Sequence, residues 1–261
     1  MKNRGVRKPK KRLNPIGILV LSLILMFSLI AIVIWGSLYR NSKFKENQKI
    51  EQSSVSSKQD KSSEKEEKTL LDQVKKSDWE LVLVNLANPK EEMNPELTLV
   101  GNIEVDSRIA QNVLDFHSAA QEVDSAVHFI SGYRSVDYQA QIFEGYVEQT
   151  MAANPDWTED EARAQVMRTS QPPGSSEHQT GLAVDMSTVD ELNTEDPVVA
   201  EQIAAIAPEY GFILRFPEWG SESTGIDYED WHFRYVGVET AKYITENQLT
   251  LETFLEQVIN E

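Results

Sequence analysis

Two histidines in this chain stand among side chains that could hold a divalent metal ion. In Ser176-Glu-His178-Gln-Thr-Gly181-Leu-Ala183-Val-Asp185 an imidazole precedes a carboxylate by seven residues, with a glycine between them. Gly181 permits a tight turn, so both groups can reach one point. Ala183, on the same strand face as Asp185, is small enough to leave room for an ion. In Tyr228-Glu229-Asp230-Trp231-His232-Phe233-Arg234-Tyr235 a second imidazole follows a carboxylate by three. On a regular strand Glu229 and His232 would face opposite sides. A shared site therefore requires Glu229 in the loop entering a strand that begins near Trp231.

His178, Asp185 and His232 are three ligands suited to one Zn2+, leaving the fourth tetrahedral position for water. Zinc lowers the pKa of such a water to about 7. A carboxylate beside it can take its proton and pass it to a leaving amine, and Glu229 is the candidate base. Either segment alone is a weak signal, because such pairs are common on surfaces; the two together are far more specific. Cysteine is absent, so any metal site must use imidazole and carboxylate. Four other residues are set aside. His117, next to Phe116 on a helix, reads as solvent-facing, and His128 as a satisfied histidine that binds no metal. Trp231 reads as packing beside the site, and Arg234 as either its electrostatic support or a paired structural arginine.

The elements that must position these groups follow from hydrophobic periodicity. Leu81 to Val84 reads as a first strand. Ile109, Val113, Phe116 and Ala120 recur at helical spacing behind a Ser107 cap. Val127 to Ser131 is a buried strand running into Gly132, and a helix starts near Asp137 and carries Ile142, Tyr146 and Val147. Thr158-x-x-Glu161 is a capping box for the next helix, with Trp157 as its staple. Leu182 to Ser187 alternates, and Gly211 to Phe216 and Trp231 to Val236 are further strands. Leu251, Phe254, Leu255 and Val258 form one apolar helical stripe. Strands and helices mix without βαβ regularity, which predicts an α+β fold.

Three blocks carry a family resemblance: Ser131-Gly-Tyr-Arg134-Ser, Ser176-x-His178-x-x-Gly181-x-Ala183-x-Asp185, and Glu229-x-Trp231-His232-x-Arg234-Tyr235-Val236-Gly237. In this order they resemble the signature blocks of VanY-type D-alanyl-D-alanine carboxypeptidases, which belong to the LAS superfamily of zinc peptidases. The segment Tyr138 to Ser187 is similar to the LdcB/DacB branch, which trims murein tetrapeptides. The resemblance implies a small antiparallel sheet flanked by helices, with one zinc ion held by His178, Asp185 and His232 and Glu229 as general base. It implies that Arg134 holds the substrate's terminal carboxylate or stabilises the oxyanion, and that Gln139 and Ser176 contact the peptide. The expected activity is removal of a terminal D-alanine from peptidoglycan stem peptides. An L,D-carboxypeptidase acting on tetrapeptides, a related endopeptidase or dipeptidase, and a non-catalytic wall-binding module are the rivals.

Charge divides the chain. Residues 1–12 hold seven basic side chains and no acid, and Ile16 to Tyr39 is an uncharged apolar run of 24 residues. As a helix that run spans roughly 36 Å, enough to cross a bilayer. The basic cluster before it predicts a cytoplasmic N-terminus and an extracytoplasmic remainder. The organisation expected is a basic tail over 1–15, a transmembrane anchor over 16–39, a Ser/Lys/Glu-rich disordered linker over 40–69 and the zinc carboxypeptidase domain over 70–261. From Leu70 onward there are 10 basic and 36 acidic residues, which argues against nucleic acid as a partner.

Overall fold

The computed structural model describes residues 70–258 apart from Asp72 and Leu192. The expected tail, anchor and linker lie outside those residues. Among the described residues no helix is long and apolar enough to cross a membrane.

The first two strands form a hairpin: β1 (Leu97–Val100) pairs antiparallel with β2 (Ile103–Asp106) around Gly101-Asn102. A 3-10 turn at Ser107–Ile109 then leads into helix α1 (Ala110–Val123). Strand β3 (His128–Ser131) is followed by α2 (Val136–Ala153), capped by the Ser135 side chain, and by α3 (Glu159–Val166). The capping box at Thr158 and Glu161 is formed, satisfying two amides of the first turn. Trp157 is 39% exposed and does not serve as a buried staple. Helices α2 and α3 pack through Phe143, Val147, Ala162 and Val166.

Next come β4 (Ala183–Ser187), α4 (Pro197–Ile206), β5 (Phe212–Leu214), the single turn α5 (Ser221–Thr224) and β6 (His232–Tyr235). Helices α6 (Val238–Glu246) and α7 (Leu251–Gln257) follow. The four-stranded sheet has the order β3-β4-β6-β5 with every pair antiparallel. This is a mixed α/β fold with small antiparallel sheets and, among the described residues, no parallel strand pair. One sheet face, carrying Leu182, Val184, Met186 and Phe233, meets Val113, Phe116 and Ala120 of α1 in the main core. Leu251, Phe254 and Val258 are buried with Ile213, Ala241 and Ile244 in a second core, while Leu255 is only partly covered.

One expected strand is absent. Leu81 to Val84 follows a 3-10 turn at Trp79–Leu81 instead of pairing into a sheet. The carbonyls of Glu80 and Val82 accept from the Arg234 guanidinium at 2.7 and 2.9 Å. A buried side chain thus takes the acceptors that a ladder would otherwise satisfy.

Candidate metal centre

Asp185 and His232 are register partners across β4 and β6. Directly opposed side chains leave such a pair on one face, about 5 Å apart at Cβ. That face is the one turned away from the main core. His178 arrives from the 3-10 turn Glu177–Thr180, which ends at Gly181 with φ 69°. A Cβ on Gly181 would lie 2.7 Å from the Asp106 amide nitrogen, and that amide donates to the Gly181 carbonyl at 2.9 Å. Glycine is required here both for the left-handed backbone and for the close approach of β2.

The ring nitrogens face defined partners. Nδ1 of His178 is 2.7 Å from the Gly132 carbonyl oxygen. A carbonyl only accepts, so Nδ1 carries the proton and Nε2 presents its lone pair. Nε2 of His232 is 2.9 Å from Glu177 Oε1, which turns Nδ1 toward Asp185 Oδ1 at 2.9 Å. That is a charge contact, His178 Nε2 lies 3.3 Å from Asp185 Oδ2, and Asp185 Oδ1 and His178 Nε2 are both buried without a hydrogen-bond partner. One donor atom from each of the three residues lies within 4.8 Å of the others. Two buried imidazoles and a carboxylate crowding on one point with hydrogen-bond partners still missing fit a cation, and the outward ring nitrogens of both histidines are anchored, as is usual for metal-bound imidazoles.

The electrostatics agree. Burial pushes His178 down, and Arg134 adds to that. Burial also opposes charge on His232, but Asp185 and Glu177 outweigh it and lift its imidazole to about 10. Burial would raise Asp185, yet the two imidazoles hold it well below the usual carboxylate range. The site thus demands positive charge, which a metal ion supplies while leaving both rings neutral.

Glu229 sits in the loop before β6, as a shared site requires, and its amide donates to the Phe216 carbonyl at 3.1 Å. Its Oε2 is 3.7 Å from His232 Nδ1. Burial pushes its carboxyl up to about 8, with His232 opposing the shift and Asp185 reinforcing it. Arg134 reaches the same point: Nη2 is 3.8 Å from Asp185 Oδ2, Nη1 donates to Gln139 Oε1 at 2.9 Å, and Nε is buried without a partner. Ser176 is buried beside them, and all of these residues line one cleft of about 1040 Å3.

The remaining candidates take the following places. Gln139 is 2% exposed, with its Oε1 taken by Arg134 and its Nε2 by the Gln171 carbonyl at 2.7 Å. It stands behind Arg134 and aims it. Ala183 pairs across with Arg234, so the space left by its small side chain adjoins a buried guanidinium. His117 is not solvent-facing: it stacks on Phe129 with ring centroids 4.2 Å apart and contacts the Val127 carbonyl. His128 is satisfied by Asp190 and the Ala126 carbonyl, remote from the site. Trp231 is buried and lines the cleft. Sequence reasoning missed Glu177, which joins His232 to Arg215 and Arg234. Its one signal was an acid flanking His178.

A mixed α/β fold with an enclosed His/Asp/His site and an adjacent buried carboxylate defines a metal-dependent hydrolase scaffold. The D-alanyl-D-alanine carboxypeptidase (VanY) family profile matches residues 102–238. A D-alanyl-D-alanine carboxypeptidase of Enterococcus faecalis is 34% identical over 189 residues, covering 72% of this chain and 69% of that protein. The solved structure of VanYB in complex with D-alanine-D-alanine superposes with a TM-score of 0.62 at 34% identity, covering 69% of this chain and 98% of its own. A VanY mutant solved with Zn(II) gives 0.61 at 34% identity, with 68% and 99% covered. The LdcB LD-carboxypeptidase gives 0.52 at 32% identity, with 66% and 78% covered. The chain belongs to the VanY family of D-alanyl-D-alanine carboxypeptidases.

Proposed function

We propose that the chain is a zinc D,D-carboxypeptidase that removes the terminal D-alanine from peptidoglycan stem peptides. The observation that carries this reading is the convergence of two buried imidazoles and a carboxylate on one point, beside a second buried carboxylate and a guanidinium whose Nε has no partner. His178 through Nε2, Asp185, and His232 through Nδ1 would hold the ion. When bound, zinc supplies a Lewis acid that polarises a carbonyl and acidifies water at neutral pH. Glu229 accepts the proton of the attacking water and returns it to the departing amine. Gln139 pins Nη1 of Arg134, Nε has no partner and Nη2 stands 3.8 Å from Asp185, so the Nε/Nη2 edge can take a carboxylate in a two-pronged contact. Assigned this way, Arg134 selects a free C-terminus, and Ser176 borders the bound peptide.

Two observations support the D,D bond over the L,D bond. The D-alanyl-D-alanine carboxypeptidase of Enterococcus faecalis matches over 72% of this chain against 66% for LdcB, and the TM-score of the VanYB superposition exceeds that of LdcB. The test is D-alanine release by purified full-length protein from pentapeptide and tetrapeptide side by side; faster cleavage of the tetrapeptide would reverse the assignment. Arg134→Ala is expected to lower kcat/KM about 30-fold or more, because loss of one partner from a desolvated charge pair costs about 2–5 kcal/mol. Amidating the substrate's C-terminus should harm the wild type similarly and the variant little further. Equal cleavage of amidated and free peptides by the wild type would make the enzyme an endopeptidase.

The basic cluster and the apolar run Ile16 to Tyr39 support a single-pass anchor with the catalytic domain outside the cell. External protease on intact cells should then remove the domain and spare the first twelve residues. Recovery of the domain in the medium, cut after the apolar run, would exclude the anchor.

A further inference from the structure

Glu177 is 4% exposed and belongs neither to the three ligands nor to the proton-transfer pair. Its oxygens divide their work. Oε1 accepts from His232 Nε2 at 2.9 Å. Oε2 accepts from Arg215 Nε at 3.0 Å and from Arg234 Nη1 at 3.1 Å. Both guanidiniums are at most 1% exposed and are fixed from their far sides. Arg215 donates to Glu252 on α7 at 2.9 and 2.6 Å, and Arg234 to the Glu80 and Val82 carbonyls. A carboxylate that served only to neutralise two arginines would offer one oxygen to each. Here both arginines crowd onto one oxygen, and the other is kept for the imidazole.

We propose that Glu177 is the positioning residue of this metal centre: it holds His232 in the tautomer and ring plane that present Nδ1 to zinc, and Arg215 and Arg234 hold Glu177. The inference rests on the zinc reading above. A histidine ligand whose outer N–H meets a fixed carboxylate has its orientation set before the metal arrives. The Glu80 and Val82 carbonyls and Glu252 of α7 hold the guanidiniums from their far sides and do not touch His232.

Glutamine at position 177 cannot replace this arrangement. Three donors converge on two positions, and an amide offers one acceptor oxygen, so its NH2 must face a donor. Zinc affinity, measured on full-length protein by competition with a chromophoric chelator, should fall about 10–100-fold in Glu177→Gln. Glu252→Gln disturbs Arg215 from its far side without touching the His232 contact, and should stay within about threefold of wild type on the same scale. In zinc-loaded wild type, 15N spectra should place the metal on Nδ1 of His232 and a slowly exchanging proton on Nε2. Unchanged affinity in Glu177→Gln overturns the inference, as does an equal loss in both variants. A proton on Nδ1 in loaded wild type also overturns it, and that result needs no variant to fold. Those three results leave the zinc reading intact, whereas wild-type protein that takes up no zinc overturns both.

Discussion

Glu229→Gln is expected to lower kcat by about 10⁴-fold, the upper end of what a positioned general base contributes. The upper end applies because one carboxylate serves both proton transfers, from the attacking water and to the leaving amine. The amide keeps the shape and the surroundings but cannot accept the proton. Zinc content should be unchanged, since Glu229 stands 3.7 Å from His232 Nδ1 and is not among the converging ligand atoms. Stability should move the opposite way from activity in the metal-free protein. Burial raises the Glu229 carboxyl to about 8, above its value in the unfolded chain. Between the unfolded value and about 8, ionisation therefore favours the unfolded state, and its stability contribution is present at low pH and lost as pH rises. A neutral glutamine escapes that penalty, so the metal-free variant should melt no lower than wild type at pH 7. D-alanine release from pentapeptide and a metal-free melting curve check both halves. A turnover within about threefold of wild type, against an expected loss of at least about 100-fold, would assign the base elsewhere.

The ligands were legible because the chemistry needs those residue types close together in local segments. The Gly181 turn brings His178 back beside the strand that carries Asp185, and alternation along Leu182 to Ser187 separates core residues from Asp185. The loop position of Glu229 followed from parity alone. What escaped sequence reasoning was long-range. Arg215 and Arg234 are fully buried cations, which residue type alone argues against. They are tolerated only because Glu177, Glu252 and two backbone carbonyls meet them from distant parts of the chain. The same network explains the missing strand at Leu81 to Val84: its apolar pattern reads as a strand, but the Glu80 and Val82 carbonyls bond a guanidinium instead of a neighbouring strand. Gln139 shows a related limit. Its sequence position marks it as part of the site, but only the fold shows that its amide is spent on Arg134 and Gln171.

Replacing a ligand histidine should remove the metal, not merely slow the reaction. Full-length wild type should bind one zinc ion, and His178→Ala or His232→Ala should each weaken binding beyond the roughly 10–100-fold cost of losing an outer partner. His232→Ala does double damage: it removes Nδ1 from the cluster and leaves Glu177 Oε1 without its donor. Asp185, buried and shifted toward its charged form by the two imidazoles, then keeps only His178 and the more distant Arg134 opposite it. Activity should vanish in both variants, and stability should report the same event independently. A ligand bound only by the folded state adds about 2.7 kcal/mol of stability at a free concentration one hundred times its Kd. Zinc added to metal-free wild type should therefore raise Tm by several degrees, and a chelator should reverse the rise. His232→Ala should show no zinc-dependent shift. His117→Ala and His128→Ala lose only a ring stack or a surface ion pair and should keep the full zinc response even where their metal-free Tm falls. A complete zinc-dependent shift in His232→Ala would show that the ion sits elsewhere.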